Sequence, residues 1–426
     1  MQRATKYVVG LLASASLLGG LLLIRGSVPQ VPSGAWAPAG NMAAARAGAA
    51  SVLLQNGRTL ITGGVSGSGA LASVDLFDTT GSFCAAPLCV PPAPMNFARS
   101  KHTATVLQDG RVLVAGGIGG GGTPVASAEI YDPAANTWTV TGSLLTARSG
   151  HTASLLQNGA VLIAGGDSSG VAQSSLEIYD PASHAFAFAV GALSSPRESH
   201  AAAVLQDGRV LIVGGNNGKQ QTAPTVALAT SDIYDPATES VAVGPALSTP
   251  RQGLSATTQL DGKVFVAGGN NGSADLASAE VFDPATGSFT LAASKLATAR
   301  QGHQAFLLPH NNNVLLVGGT SGGVALNSSQ QYMPWAGSFN PVSFMASARA
   351  SATGGAISQD GLLLVAGGKN ASGTTLASGE LASTVSVIAP PATLALMVGN
   401  SGAELGDVAL PPHASIIAAT VASEAV

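Results

Sequence analysis

Seven arginines and four histidines recur at fixed spacing, and they are the side chains in this sequence best placed to do chemistry. Arg46, Arg99, Arg148, Arg197, Arg251, Arg300 and Arg349 follow one another at intervals of about fifty residues, and His102, His151, His200 and His303 each stand three residues after an arginine. A ring of guanidinium groups suits anion binding, and converging imidazoles suit a transition metal. A simpler reading competes with both. An acid recurs in nearly every unit, so each arginine has a carboxylate to pair with between strands. Ala49, Leu254 and Ala352 take the histidine position in the other units, and equivalent places in a repeat are spaced too widely to share one ion. No metal site, no cofactor and no catalytic residue are assigned on these grounds. The sequence also lacks a nucleophile elbow, a zinc-protease helix and a phosphate-cradling loop, since the glycine run at 119–122 opens no helix.

The elements that must position these residues are strands. A Gly-Gly pair ends an apolar run seven times, at Gly63-Gly64, Gly116-Gly117, Gly165-Gly166, Gly214-Gly215, Gly268-Gly269, Gly318-Gly319 and Gly367-Gly368. Before each pair two apolar, β-branched stretches flank a turn such as Asp109-Gly110, which predicts a hairpin with a two-residue type I′ turn. The turn recurs at Asn56-Gly57, Asn158-Gly159, Asp207-Gly208, Asp261-Gly262 and Asp360-Gly361, with Asn311-Asn312 in the sixth copy. A third strand carries acid, aromatic and aspartate, as in Glu129 to Asp132, and a fourth holds an aromatic such as Phe83, Trp138, Phe186, Phe289 or Phe339. Four strands make one blade, and seven blades bury their faces by stacking around an axis. Trp36 precedes Arg46 by the ten residues that separate Trp138 from Arg148. The first strand is thus expected to complete the last blade and tie the chain's ends together.

The order Arg, His, hairpin, Gly-Gly, Glu-x-Tyr-Asp-Pro, Trp resembles the kelch repeat over residues 35–387. The resemblance implies an all-β, seven-bladed kelch-type β-propeller, a fold that hosts enzymes, sugar binders and protein-binding platforms alike. The sixth copy departs from the pattern, with Gln331-Tyr332-Met333-Pro334 where acid and aspartate belong. Galactose oxidase carries a copper site on a related propeller, built from histidines, tyrosine and a tyrosine cross-linked to cysteine. Here Tyr131, Tyr179, Tyr234 and Tyr332 belong to third strands, and Cys84 and Cys89 share a proline-rich insertion that suits a small disulfide loop better than a cross-link.

Recognition is then expected in the loops after the Gly-Gly pairs, which differ from copy to copy. Asn216, Asn217, Lys219, Gln220 and Gln221 in the longest loop, with Asn270, Asn271 and Asp275 in the next, offer amides and a carboxylate to a hydroxyl-rich ligand; the plainer reading is solvated turn residues. The leading expectation is a non-catalytic binding or scaffold propeller for a protein or glycan partner. The alternative is a carbohydrate-active enzyme, either a galactose-oxidase-like oxidase or a kelch-type sugar epimerase. A net charge of −4 without any basic run excludes a nucleic-acid binder.

Residues 1–26 hold Arg3, Lys6 and an apolar run from Tyr7 to Ile24, the form of an export signal, either cleaved or kept as a membrane anchor. The body is accordingly expected outside the cytoplasm, extracellular or periplasmic. Residues 388–426 are apolar and weakly patterned, and read as a tail or a partial extra module.

Overall fold

A complete repeat folds as a hairpin plus two further antiparallel strands. In the second copy these are Thr103–Val106, Val112–Ala115, Ala128–Asp132 and Thr137–Val140. The computed structural model describes residues 35–78, 81–85, 89–218, 226–308, 311–356 and 362–383. Residues 1–26, expected as an export segment, Lys219 to Gln221, the turn at Asp360-Gly361 and residues 388–426, expected as a tail or partial module, lie outside them.

The hairpin turn differs from the two-residue form expected. Gly110 N donates to Leu107 O (3.0 Å) and Leu107 N to Arg111 O (2.8 Å), so Gln108 joins Asp109 and Gly110 in a three-residue loop. Only Gly110 has positive φ, at 85°, which makes this a type I turn followed by a glycine bulge. The same geometry places Gly57, Gly159, Gly208 and Gly262 at φ between 80° and 89°, and Asn312 at 60°.

The innermost strands of the seven blades, from Ala50–Leu53 through Thr103–Val106, Thr152–Leu155, Ala201–Val204, Ser255–Thr258 and Gln304–Leu308 to Thr353–Ala356, each lie beside the next, and the last lies beside the first. Closure is made by Trp36–Asn41, which pairs antiparallel with Ser378–Ser383 as the outer strand of blade 7. Trp36 Nε1 also donates to Ser329 Oγ of blade 6 (3.0 Å). Among the described residues blade 1 has three strands and a single bridge, Phe77 to Phe83, beside the third. The insertion that follows is closed by the Cys84–Cys89 disulfide and held on blade 2, where Trp138 Nε1 donates to Ala93 O (2.8 Å). Aromatics of the third strand and of the chain that follows it meet in blades 1, 2, 3, 5 and 6, as in Tyr131–Trp138 at 4.9 Å and Phe282–Phe289 at 5.2 Å. The apolar core lies between blades: Leu113 and Ile130 of blade 2 pack with Val161, Ile163 and Tyr179 of blade 3.

The Gly-Gly pairs do more than end a strand. Gly116 and Gly117 have φ of 62° and 99°, which aims the second amide at the next blade, where Gly117 N donates to Arg148 O (2.8 Å). The bond recurs at all seven junctions and closes the ring through Gly368 N to Arg46 O (2.8 Å). A Cβ at Gly116 would lie 2.6 Å from Arg148 O and 2.7 Å from His151 Cε1. Gly116→Ala is therefore expected to lose about 2–4 kcal/mol, combining a left-handed alanine with a junction forced apart. A urea midpoint equal to that of the parent chain would remove this account of the pair.

Candidate functional site

The recurring arginines are structural. Each is at most 1% exposed and anchors the entry of its own blade. Arg148 Nη1 donates to Gly165 O (2.8 Å) and Ser175 O (3.1 Å), and its Nη2 to Ser175 Oγ (2.8 Å) and Glu177 Oε1 (2.6 Å). Glu177 also accepts the amides of Leu145 (2.7 Å) and Thr146 (3.0 Å), and so pins the connection arriving from blade 2. The pairs Arg46–Asp75, Arg99–Glu129, Arg197–Asp232, Arg251–Glu280 and Arg349–Glu380 repeat the arrangement. Burial pulls the guanidinium pKa of Arg148 down while the Glu177 carboxylate pushes it back. Blade 6 lacks the acid. Gln330 stands there, its Oε1 accepting Ala297 N (2.9 Å), and burial without a carboxylate pulls Arg300 down to about 10.

The histidines are locks between blades. The Nε2 atoms of His151 and His200 lie 3.0 Å from Thr103 Oγ1 and Thr152 Oγ1, that of His303 lies 2.9 Å from Ser255 Oγ, and each hydroxyl belongs to the preceding blade. In blade 1 the hydroxyl position is Ala50, and Thr62, opposite it on the next strand, reaches His102 instead at 2.8 Å. Where Leu254 replaces histidine the facing residue is Ala201, and the two share one apolar cluster. Burial, reinforced by the neighbouring arginine of the repeat, pushes all four imidazoles down to about 3. They are neutral at pH 7 and spent on hydroxyls.

The loops after the Gly-Gly pairs gather on one face. Each pairs with the residue that follows the arginine: Ala47 with Val65, Ser100 with Ile118, Ser149 with Asp167, Glu198 with Asn216, Gln252 with Asn270, Gln301 with Thr320 and Ala350 with Lys369. Inside this rim runs a ring of left-handed residues, Gly48, Lys101, Gly150, Ser199, Gly253, Gly302 and Ser351. Backbone bonds link neighbours, as in Gly48 N to Ser351 O and Lys101 N to Gly48 O, both 2.9 Å. This ring went unread in the sequence, although its signal is there: glycine stands two residues after the arginine in four of seven copies.

The loop amides singled out by sequence hold the loops in shape. Asn216 is 4% exposed, donates to Gln252 Oε1 of the next blade (2.6 Å) and accepts Gly218 N (2.8 Å). Asn217 accepts Val226 N (2.7 Å), and Asn271 accepts the amides of Ser273 (2.9 Å) and Ala274 (2.8 Å). Asn270 donates to Asp275 (2.8 Å), whose other oxygen accepts Gly322 N of blade 6 (2.7 Å). The structure thus joins blades 4, 5 and 6 through these side chains, with Gln252 as the member that sequence reasoning missed. Lys219 and Gln220 lie outside the described residues. On the opposite face the hairpin turns of blades 1 and 2 enclose a cleft of about 470 Å³, lined by Gln55, Asn56, Asp132 and the Asp109–Arg111 ion pair.

The donor set does not fit a copper ion of the tyrosine–cysteine type. Both cysteines are joined to each other, each histidine faces a hydroxyl at a different junction, and no group of three metal-ligating side chains occurs among the described residues.

A family model described as the KLHDC2/KLHL20/DRC7 Kelch-repeats domain matches residues 34–215, and a Kelch motif matches residues 254–296. No curated protein matches the chain. Among solved structures it is similar to a fungal alcohol oxidase of the AA5 family in complex with copper, at 17% identity and a TM-score of 0.63, covering 80% of this chain and 74% of that one.

Proposed function

This chain is a kelch-type β-propeller, and on that premise we propose that it is an exported, non-catalytic scaffold that binds a protein partner through its loop face. The observation that carries the reading is the contrast between invariant and varied parts. Seven junctions share one set of backbone locks, whereas the loops mounted on them run from the short hairpin of Asp167–Ala172 to the long connection of Asn216–Ala227. A rigid ring carrying dissimilar loops on one side suits recognition of an irregular protein surface. The disulfide and the apolar run from Tyr7 to Ile24 support export, since such a bridge persists in an oxidising compartment.

A carbohydrate-active oxidase is the second reading, supported by the propeller it shares with the copper-bound fungal enzyme. One experiment separates the two. The full chain, immobilised, is compared with a variant whose loop 216–227 is replaced by the hairpin 167–172, and with Arg58→Ala/Arg111→Ala on the opposite face. A partner retained by the parent and the opposite-face variant but lost from the loop variant is expected. Stoichiometric copper together with alcohol oxidation would overturn the scaffold and favour the oxidase, and selective binding on a glycan array would move the partner class from protein to glycan.

A further inference from the structure

Among the described residues the charges of the loop face are unevenly distributed. At the channel mouth blades 7, 1 and 2 present Lys369 and Lys101, both exposed and neither in an ion pair among the described residues. The repeat acids of these blades, Glu380, Asp75 and Glu129, are buried against arginines, and Asp109 and Asp132 lie at the cleft on the opposite face. Blade 1, between the two lysines, offers Ala47, Gly48, Val65 and the Ser66–Ser68 hydroxyl pair. The other described charges of this face are of the other sign: Asp167 in blade 3, next to blade 2, and Glu198 in blade 4 and Asp275 in blade 5 further round.

The inner ring adds an independent sign. Its backbone conformation disfavours any side chain, and glycine serves it in four blades, yet Lys101, Ser199 and Ser351 adopt φ of 52–54° there. The fold does not need these side chains. Lys101 and Ser351 flank Gly48 through the two 2.9 Å backbone bonds of the ring, and Lys369 joins them by its bridge to Ala350. Ammonium and hydroxyl donors are thereby set in one arc of the mouth, whose blade-3 edge is marked by Asp167.

We propose that the arc formed by Lys101, Ser351 and Lys369 receives an acidic segment of the protein partner. The inference rests on the protein-binding reading and deepens it. Carboxylates are attracted to the ammonium groups of this arc and repelled by Asp167 at its blade-3 edge, which sets the direction in which an acidic segment runs along it.

Fluorescein-labelled decaglutamate, titrated into the full chain at low salt and followed by anisotropy, tests it. Lys101→Gly installs the residue that four blades already use, so its melting temperature is expected to hold or rise. Lys101→Gly/Lys369→Ala is expected to weaken decaglutamate by about tenfold, as would moderate salt, because both contacts are solvent-exposed ion pairs. Equal binding of decalysine, an unaltered affinity in the double variant, or preference for polygalacturonate over decaglutamate would overturn the assignment. If decaglutamate does not bind while capture sensitive to the loop 216–227 exchange persists, the acidic arc falls and the scaffold reading stands.

Discussion

Acidification is expected to unfold the ring between pH 6.5 and 4, because four imidazoles that bind protons readily in the unfolded chain refuse them in the folded one. His102, His151, His200 and His303 are held down to about 3 by burial first and by their arginine neighbours second; His102 additionally faces His151 and Arg46. Above the unfolded value of about 6.5 both states are neutral and stability is unaffected. As the pH falls the unfolded chain takes up protons first, so stability drops by about 1.4 kcal/mol per pH unit for each histidine until the folded pKa is reached. At pH 5 that is about 2 kcal/mol each and about 8 kcal/mol for four, comparable with the whole stability of many domains. Melting temperatures recorded from pH 7.5 to 4.5 are expected to fall steeply below 6.5. Thr103→Ala/His151→Leu, which copies the Ala201–Leu254 junction, is expected to reduce the slope by one quarter. His151→Leu alone leaves Thr103 without its partner and loses about 1 kcal/mol that the double variant recovers. A slope unchanged in the double variant would mean that His151 is not among the groups resisting protonation.

The second large effect is expected at the arginine of any intact blade. Arg148→Met strands Glu177 in the interior and is expected to lose about 3–5 kcal/mol. Glu177→Gln should lose less, about 1–3 kcal/mol, because it reproduces Gln330 of blade 6, which keeps a backbone amide without the ion pair. Replacing a simple buried pair by two apolar residues is often harmless, but Arg148→Met/Glu177→Leu is expected to remain destabilised. The arginine also serves the carbonyls of Gly165 and Ser175, and the glutamate serves the amides of Leu145 and Thr146. Those groups would be left buried without partners. Chemical denaturation of the single and double variants measures this directly, and a fully recovered double variant would reduce the cluster to an ordinary ion pair.

Periodicity made most of the blade legible. Strand order, the arginine–acid pairing and the completion of blade 7 by Trp36–Asn41 follow from residues that recur in register. The sixth copy's missing acid was equally visible, and Arg300 stands in blade 6 without a carboxylate. The turn type was not legible, because Asp-Gly alone does not tell whether Gln108 belongs to the strand or the loop; the bond from Leu107 N to Arg111 O decides it. The loop amides offer two readings by type, ligand donors or turn residues, and in the structure Asn216, Asn270 and Asp275 bond to neighbouring turns and blades.

The sequence by itself determined the repeat, because a hairpin, a glycine pair and a strand-ending proline act on residues close along the chain. Only the tertiary structure decided which groups meet between blades. His151 finds Thr103 and Gly368 finds Arg46 across 48 and 322 residues of sequence, and those contacts exist only once the ring has closed. The placement of Lys369 and Lys101 in one arc of the loop face belongs to the same class. Lys101 and Lys369 stand 268 residues apart along the chain and share an arc because blade 7 closes onto blade 1.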